Sequence, residues 1–402
     1  MEMSKVLEQL LPLGKDWEIT EVVLQEDLKR ITITVGFNSD FYRFEGNNYK
    51  LYDELPEREW QHLPWFQYRC YIKCKIPRYV STEGQVKSIP VPWAESRKGY
   101  TNLFAAHVIA MLQLVQVQNK VAVICQTTDY IIRSIMEDAV NKAIDKRGIV
   151  NDMEYISIDE KAFAKGHEYA SILIDSRVGK VLEMTEGRKA ENVAAMVFAL
   201  SDEEVLPKIK MVNLDMWEAY MKIMEKIAPN AVQIHDKFHL VQKLSDAINK
   251  TRQKEVKTEP LLKDARFAVL KNEKNRTNRQ SSQFDAINDA NLLTAQAWRV
   301  RENFKALFEQ TGYLDLIDVY DEWMGNALQT GIKYVTDVVK TFERHLEGIF
   351  NAILYKTTSA QHERINGNIQ SLIAKARGFV NFERFRINVM FYYGKIDISH
   401  RI

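Results

Sequence analysis

Three aspartates close short apolar runs in the middle of the chain: Asp159 ends EYISID, Asp215 ends IKMVNLD and Asp236 ends NAVQIHD. If these runs are strands of one open sheet, the carboxylates gather in the crevice beyond the strand ends, where such sheets bind ligands. Carboxylates on neighbouring strands suit Mg²⁺ (or Mn²⁺), which takes oxygen ligands and keeps several waters. A further carboxylate from a distant helix would complete a two-ion site. Two ions roughly 4 Å apart activate a nucleophile and stabilise the leaving oxygen of an in-line phosphoryl displacement. Glu363 is the candidate. It lies in SAQHERINGNIQSLIAKARGF, where Ile365, Ile369, Leu372, Ile373 and Ala376 make one helical face and Glu363, Asn366 and Gln370 a polar stripe. The structural alternative for each aspartate is a cap on the following helix. His239, three residues past Asp236 in HDKFH, is placed to meet it on one helical turn. Capping plus a packed histidine, and a role near the reacting phosphate, remain open for that pair.

Regular elements must position these groups. Residues 154–236 read as a β-hairpin-like pair, YASILID and KVLEMTE joined by SRVG, with EYISID before it. Then comes strand–helix–strand–helix, the helices being Lys189–Ala199, MWEAYMKIMEKI and KFHLVQKLSDAINKTRQ. That order predicts an α/β fold, its mixed sheet an antiparallel meander continued by parallel strands through right-handed crossovers. Residues 256–345 carry helical patterns and no convincing strand. Upstream, residues 17–36 alternate apolar and polar around a charged turn at Glu26–Lys29, a hairpin, and 64–92 hold short strand-like runs broken by prolines. From Thr101, which with Asn102 is a candidate cap, the period becomes helical. A short helix at Lys120–Cys125, a Gln-Thr-Thr break and a longer helix from Asp129 fit a helix-turn-helix, with Asp129, Tyr130 and Arg133 at the face such a motif turns to the DNA major groove.

The chain has 402 residues, enough for two or three domains at about 150 residues each. Its 46% hydrophobic and 27% charged content argues against disordered, collagenous or coiled-coil classes. Three cysteines make no disulfide framework and suit a reducing compartment. The N-terminus lacks a basic region followed by an apolar one, and the most apolar stretch, 103–118, is too short and polar to span a membrane, so a cytoplasmic location is expected. The net charge is only +1, yet Lys237–Arg279 holds twelve Lys and Arg against five Asp and Glu, and Arg364–Arg401 seven against two. Such a cationic second half suits phosphate backbones.

The strings YISIDEKAFAKGHEYASILIDSRVGKVLEMTEGR, VNLDMWEAYMKIMEKIAPNAVQIHDKFHLVQKLSDAINKTRQ and SAQHERINGNIQSLIAKARGFVNFERFR resemble the catalytic blocks of bacterial insertion-sequence DDE transposases of the ISL3 group. The resemblance covers 154–395 and extends through IPRYVSTEGQVKSIPVPWAES toward the N-terminus. It implies an RNase H-like catalytic domain (149–255 and 346–402) interrupted by an all-α insertion (256–345), preceded by a β-rich end-binding module (1–98) and the helix-turn-helix (99–148). It maps the catalytic, metal-holding carboxylates onto Asp159, Asp215 and Glu363, spaced by 56 and 148 residues, with Asp159 bridging two ions. Asp236 and His239 resemble a D-x-x-H element near the active site of related superfamilies, and Trp298 the insertion tryptophan that stacks on a flipped base.

The chain departs from the family where zinc knuckles are usual: FYRFEGN and YVSTEG contain no cysteine, and Cys70 with Cys74 lack a second ligand pair, which speaks against zinc. Arg364 and Asn368 stand where glycine and lysine are more usual. The implied function is Mg²⁺-dependent cleavage at the inverted-repeat ends of an insertion sequence and 3′-OH strand transfer, by a bacterial, nucleoid-associated protein. The implied partners are double-stranded DNA, gripped also by Lys375, Arg377 and Arg384, and a homodimer or larger synaptic assembly. A transposase-derived DNA-binding regulator and a structure-specific nuclease are the alternatives.

Overall fold

The computed structural model describes residues 11, 13–164, 166, 168–202, 204–355 and 360–398, so Ser359 and Arg401 of the stretches above lie outside the described residues. The chain divides into two compact units, Met1–Arg147 with Ile396–Ile402, and Gly148–Lys395. The residues from 396 on thus join the first unit rather than the catalytic section in which the sequence reading put them: Asp397 pairs with Lys146, and Ile398 is buried.

In the first unit β1 (Trp17–Gln25) and β2 (Arg30–Phe37) form the expected hairpin, closing at Gln25 opposite Arg30. β3 (Phe41–Phe44), β4 (Asn47–Glu54), β5 (Arg58–Trp65), β6 (Tyr68–Cys74), β7 (Pro77–Val80) and β8 (Val86–Ser88) follow. They make two four-stranded sheets, ordered β1-β2-β6-β5 and β3-β4-β7-β8. Strict alternation in β2 turns Ile31, Ile33 and Val35 inward against Trp17, Trp60, Ile72 and Trp93. Cys70 and Cys74 are fully buried in the same cluster, and burial pushes both thiols up to about 12, so they serve as small apolar side chains. Three helices follow: α1 (Asn102–Val115), α2 (Gln118–Ile124, somewhat earlier than expected) and α3 (Asp129–Arg147). Thr101 caps α1 by accepting from Phe104 N. Buried Gln61 on β5 ties the break between α2 and α3 to the sheet: its amide donates to Gln126 O (3.1 Å) and accepts from Thr127 Oγ1 (2.7 Å).

The second unit opens with the five-stranded sheet. β9 (Tyr155–Ala164), β10 (Glu168–Asp175) and β11 (Lys180–Glu186) are antiparallel neighbours. After α4 (Ala190–Leu200), β12 (Met211–Leu214) pairs parallel with β9; after α5 (Glu218–Ile227), β13 (Val232–His235) pairs parallel with β12. The order is therefore β11-β10-β9-β12-β13, the mixed sheet the element order predicts. One boundary differs. β9 does not end at Asp159 but runs on to Ala164, because its antiparallel pairing with β10 continues beyond the last pair with β12, Ile158 opposite Leu214. Ile156, Ile158, Leu173, Val212 and Leu214 face Val193 and Val197 of α4 and Tyr220 and Met224 of α5. From the opposite face Phe163 stacks on Phe385 at 5.4 Å between ring centroids.

α6 (Lys237–Glu255) leads into an all-helical section: α7 (Arg266–Leu270), α8 (Asn278–Asp289), α9 (Leu293–Ala306), α10 (Tyr313–Gln329), α11 (Lys333–Arg344) and α12 (Leu346–Leu354). Leu240, Leu244 and Ile248 of α6 belong to the core of that section, around Phe304, Trp323 and Phe342. The helix that leaves β13 therefore anchors the helical section to the sheet. α13 (Ala360–Ala376) and α14 (Phe382–Tyr393) return to the sheet, where Arg386 of α14 grips Glu183 of β11 with two nitrogens at 2.8 and 2.9 Å.

Candidate active site

The register of the parallel strands decides where the aspartates fall. Ile158, Leu214 and His235 lie side by side as the last residues paired in the parallel part of the sheet, so Asp159, Asp215 and Asp236 follow at one level. Strand side chains alternate between faces, which turns Asp159 and Asp215 to the side opposite Ile158 and Leu214, away from α4 and α5. Asp159 is buried, Asp215 half-buried, and Asp236 buried. Asp236 caps α6, accepting from Phe238 N at 2.8 Å, so the structural role weighed for it is present.

Positive charge has collected on this end of the sheet. The Lys161 ammonium is 2.7 Å from Asp159 Oδ2, and His239 Nε2 is 3.8 Å from Asp159 Oδ1. His239, on the first turn of α6, was expected to meet Asp236; it is drawn most to Asp159. That carboxylate, followed by the charges of Asp215 and Asp236, raises the imidazole pKa in spite of its burial. Next along β9, Glu160 points to the other face, where burial raises its pKa; a hydrogen bond from Tyr220 and the Arg188 charge oppose that rise.

Glu363 is exposed on the first turn of α13, and among the described residues no group of three or more His, Cys, Asp or Glu stands close enough together to hold a metal ion. Two contacts locate the ends of α13. Gly179, whose N donates to Asp175 O near the start of β9, lies so close to Gln361 that a Cβ would meet its Oε1 at 2.7 Å. At the far end Phe379 N donates to Phe163 O at 3.0 Å. These contacts tie the first turn of α13 to the β10–β11 turn and the residues just past its last turn to β9.

The donor chemistry of Asp159 and Asp215 fits a hard divalent cation such as Mg²⁺ or Mn²⁺, since both present carboxylate oxygen and neither has a thiolate nearby. The concentration of cationic neighbours on Asp159 shows that this end of the sheet demands positive charge.

The other expected contact residues are dispersed. Tyr130 is 73% exposed on α3, and Arg133 is half-buried with its Nε on Asp129 O. Trp298 is half-buried, tilted against Phe284 at 4.6 Å, with the Arg276 guanidinium over the pair. Lys375, Arg377 and Arg384 are exposed, whereas Arg386 of the same basic run is committed to Glu183. Sequence reasoning missed Lys161, Glu160 and Arg188. The first two were hidden by ending the strand at Asp159, and Arg188 carries no local pattern.

A family model described as Transposase, that of the DDE transposases of the ISL3 group, matches residues 156–389. The chain is 24% identical over 348 residues to the transposase for insertion sequence element IS1001 of Bordetella parapertussis, covering 84% of each chain. It is 22% identical over 353 residues to the transposase for insertion sequence element IS1557 of Mycobacterium tuberculosis, covering 80% of this chain and 78% of that one. The family match spans more than half of the chain and takes in all three strand-end aspartates and the helix of Glu363, so this protein belongs to the ISL3 group of insertion-sequence transposases.

Proposed function

We propose that this transposase binds the inverted-repeat ends of its element, cuts the phosphodiester there and joins the freed 3′-OH to target DNA, using Asp159, Asp215 and Glu363 as its metal-holding carboxylates. The observation that carries the reading is the register: the strand pairings bring Asp159 and Asp215 to one level and one face. The sheet order β11-β10-β9-β12-β13, with three antiparallel strands continued by two parallel ones, supports the RNase H-like assignment. When bound, Mg²⁺ or Mn²⁺ would supply charge neutralisation at the phosphate and activation of the attacking oxygen. Asp159 and Asp215 would hold that ion pair together with Glu363 from α13.

The remaining roles fall to the chain's own groups. His239 and Lys161 hold the buried Asp159 in place and balance its charge when the cation is absent. Asp236 fixes the start of α6, and with it the position of His239. Tyr130 and Arg133 on α3 are the surface offered to the end sequence, and Trp298 is the aromatic surface that the helical section offers to an extruded base. Lys375, Arg377 and Arg384 would meet backbone phosphates. Two ends must be brought together, so the working form would be a homodimer or larger assembly on double-stranded DNA.

The test is a strand-transfer assay with Mg²⁺ or Mn²⁺ on a duplex carrying the DNA that flanks the gene. Asp159→Ala, Asp215→Ala and Glu363→Ala should each abolish cleavage and joining while leaving DNA binding intact. Activity that survives any one of the three removes that residue from the site, and nicks without joined products would make the protein a nuclease.

A further inference from the structure

We infer that Arg188 and Trp217, with Tyr169, form a seat for the DNA strand at the carboxylate end of the sheet, on its α5 side: the Arg188 guanidinium takes a backbone phosphate and the Trp217 indole stacks on the neighbouring base. The inference rests on the proposed function and specifies how that site holds its substrate.

The cluster draws on four elements at the strand-end level, on the α4 and α5 face to which Glu160 points. Trp217 lies two residues past Asp215, its N donating to Asp215 O at 2.7 Å. Arg188 follows β11, its guanidinium carbon 4.7 Å from the Tyr169 ring centroid and 5.8 Å from that of Trp217. Arg188 Nη1 stands 4.0 Å from Oε2 of Glu160, the residue after Asp159. A buried network fixes the foundation: Ser171 Oγ donates to Gly187 O (2.8 Å) and meets Tyr220 OH (2.8 Å), while Gly187 N donates to Tyr169 O (2.7 Å). The residue before Arg188 is therefore anchored, and the side chain itself is not consumed. Among the described residues its N–H groups make no hydrogen bond, and Glu160 is at the limit of an ion pair. The Arg188 side chain is 50% exposed and Trp217 is 45% exposed.

Electrostatics gives the arrangement its purpose. Carboxylates crowded at one sheet end repel a phosphate, so a strand entering there needs a cation at the rim. An arginine already ordered between two rings loses less freedom on gripping a phosphate than a free one, and its five donors match phosphate oxygens. An exposed indole beside it offers a face on which any base stacks. An arginine serving only to neutralise Glu160 would be hydrogen-bonded to it and would need no exposed tryptophan next to it.

The experiment uses the full chain and a duplex of its flanking DNA, with single-turnover end cleavage in Mg²⁺, binding by fluorescence anisotropy, and 2-aminopurine moved through the nucleotides around the cut. Trp217→Ala is expected to slow cleavage about tenfold and to remove the quenching of 2-aminopurine at one flanking nucleotide, and Trp217→Phe to restore most of both. Arg188→Gln is expected to weaken binding about tenfold and to lower the salt slope by about one, with partial recovery in Arg188→Lys. If the unsubstituted chain does not cut, the proposed function fails and takes this inference with it. If it cuts and all four variants cut, bind and quench alike, only this inference is overturned. It is equally overturned if activity follows the melting temperatures of the four variants rather than the presence of ring and charge.

Discussion

At the scale of single residues, burial decides which protonation state a titratable group keeps in the fold. His62 of β5 is 4% exposed, its Nδ1 is 2.9 Å from Thr101 Oγ1, and burial lowers its pKa to about 4. The folded unit keeps this imidazole neutral while the unfolded chain takes up a proton below about 6.5. The contribution to stability is therefore complete above pH 6.5 and falls as the pH drops toward 4, by about 3 kcal/mol. Hydrogen exchange of the β2 and β6 amides at pH 7 and pH 4 should show that loss, and His62→Gln should reduce it. An identical pH dependence in both proteins would rule out His62 as its source. The types and order of the strand-end aspartates were legible in the sequence because an acid at the end of an apolar run is a strong local signal. Arg188 and Trp217 were not legible, since 29 residues separate them and only the folded chain brings the guanidinium within 5.8 Å of the indole centroid.

At the scale of elements, the decisive relations are those between strands. Alternation and turn residues showed the strands and most helices to within a few positions, and a chain of β-hairpin then β-α-β implied the sheet order. Two things escaped that reading. β9 continues past Asp159 because one neighbour suffices to hold it, and its outer half is polar enough to read as loop. That α13 begins against the β10–β11 turn was also illegible, since Gly179 and Gln361 are far apart in the sequence. Gly179 makes that contact at φ +62, a left-handed conformation, where a Cβ would displace the Gln361 side-chain oxygen. Gly179→Ala should cost about 1–2 kcal/mol from the backbone alone and push the first turn of α13 outward. If Glu363 acts where we propose, end cleavage should fall as well, by up to about 10²-fold, while DNA binding holds. Reduced stability with undiminished cleavage would detach Glu363 from the chemistry.

At the scale of the whole molecule, the charge is near balance, yet the basic residues are unevenly employed. Within Lys237–Arg279, Arg276 lies 3.7 Å over Phe284 and Lys271 donates to Gln280, so these two serve the helical core. Lys250, Lys254 and Lys257 are exposed along and just beyond α6. Replacing these three by Gln should lower the dependence of log Kd on log salt by about 0.9 for each lysine that meets a phosphate; an unchanged slope would place the DNA elsewhere. Among the described residues no helix is long and apolar enough to cross a membrane. The central claim is that Asp159 and Asp215 together hold divalent cations where the DNA is cut. Its most direct test is Mn²⁺ binding followed by electron paramagnetic resonance on the full chain with duplex DNA from its own flanks. The unsubstituted protein should bind Mn²⁺ beyond what the DNA alone takes up, and the Asp159→Asn, Asp215→Asn double variant should lose that binding while still holding DNA. A double variant that binds Mn²⁺ as the unsubstituted chain does would contradict the account.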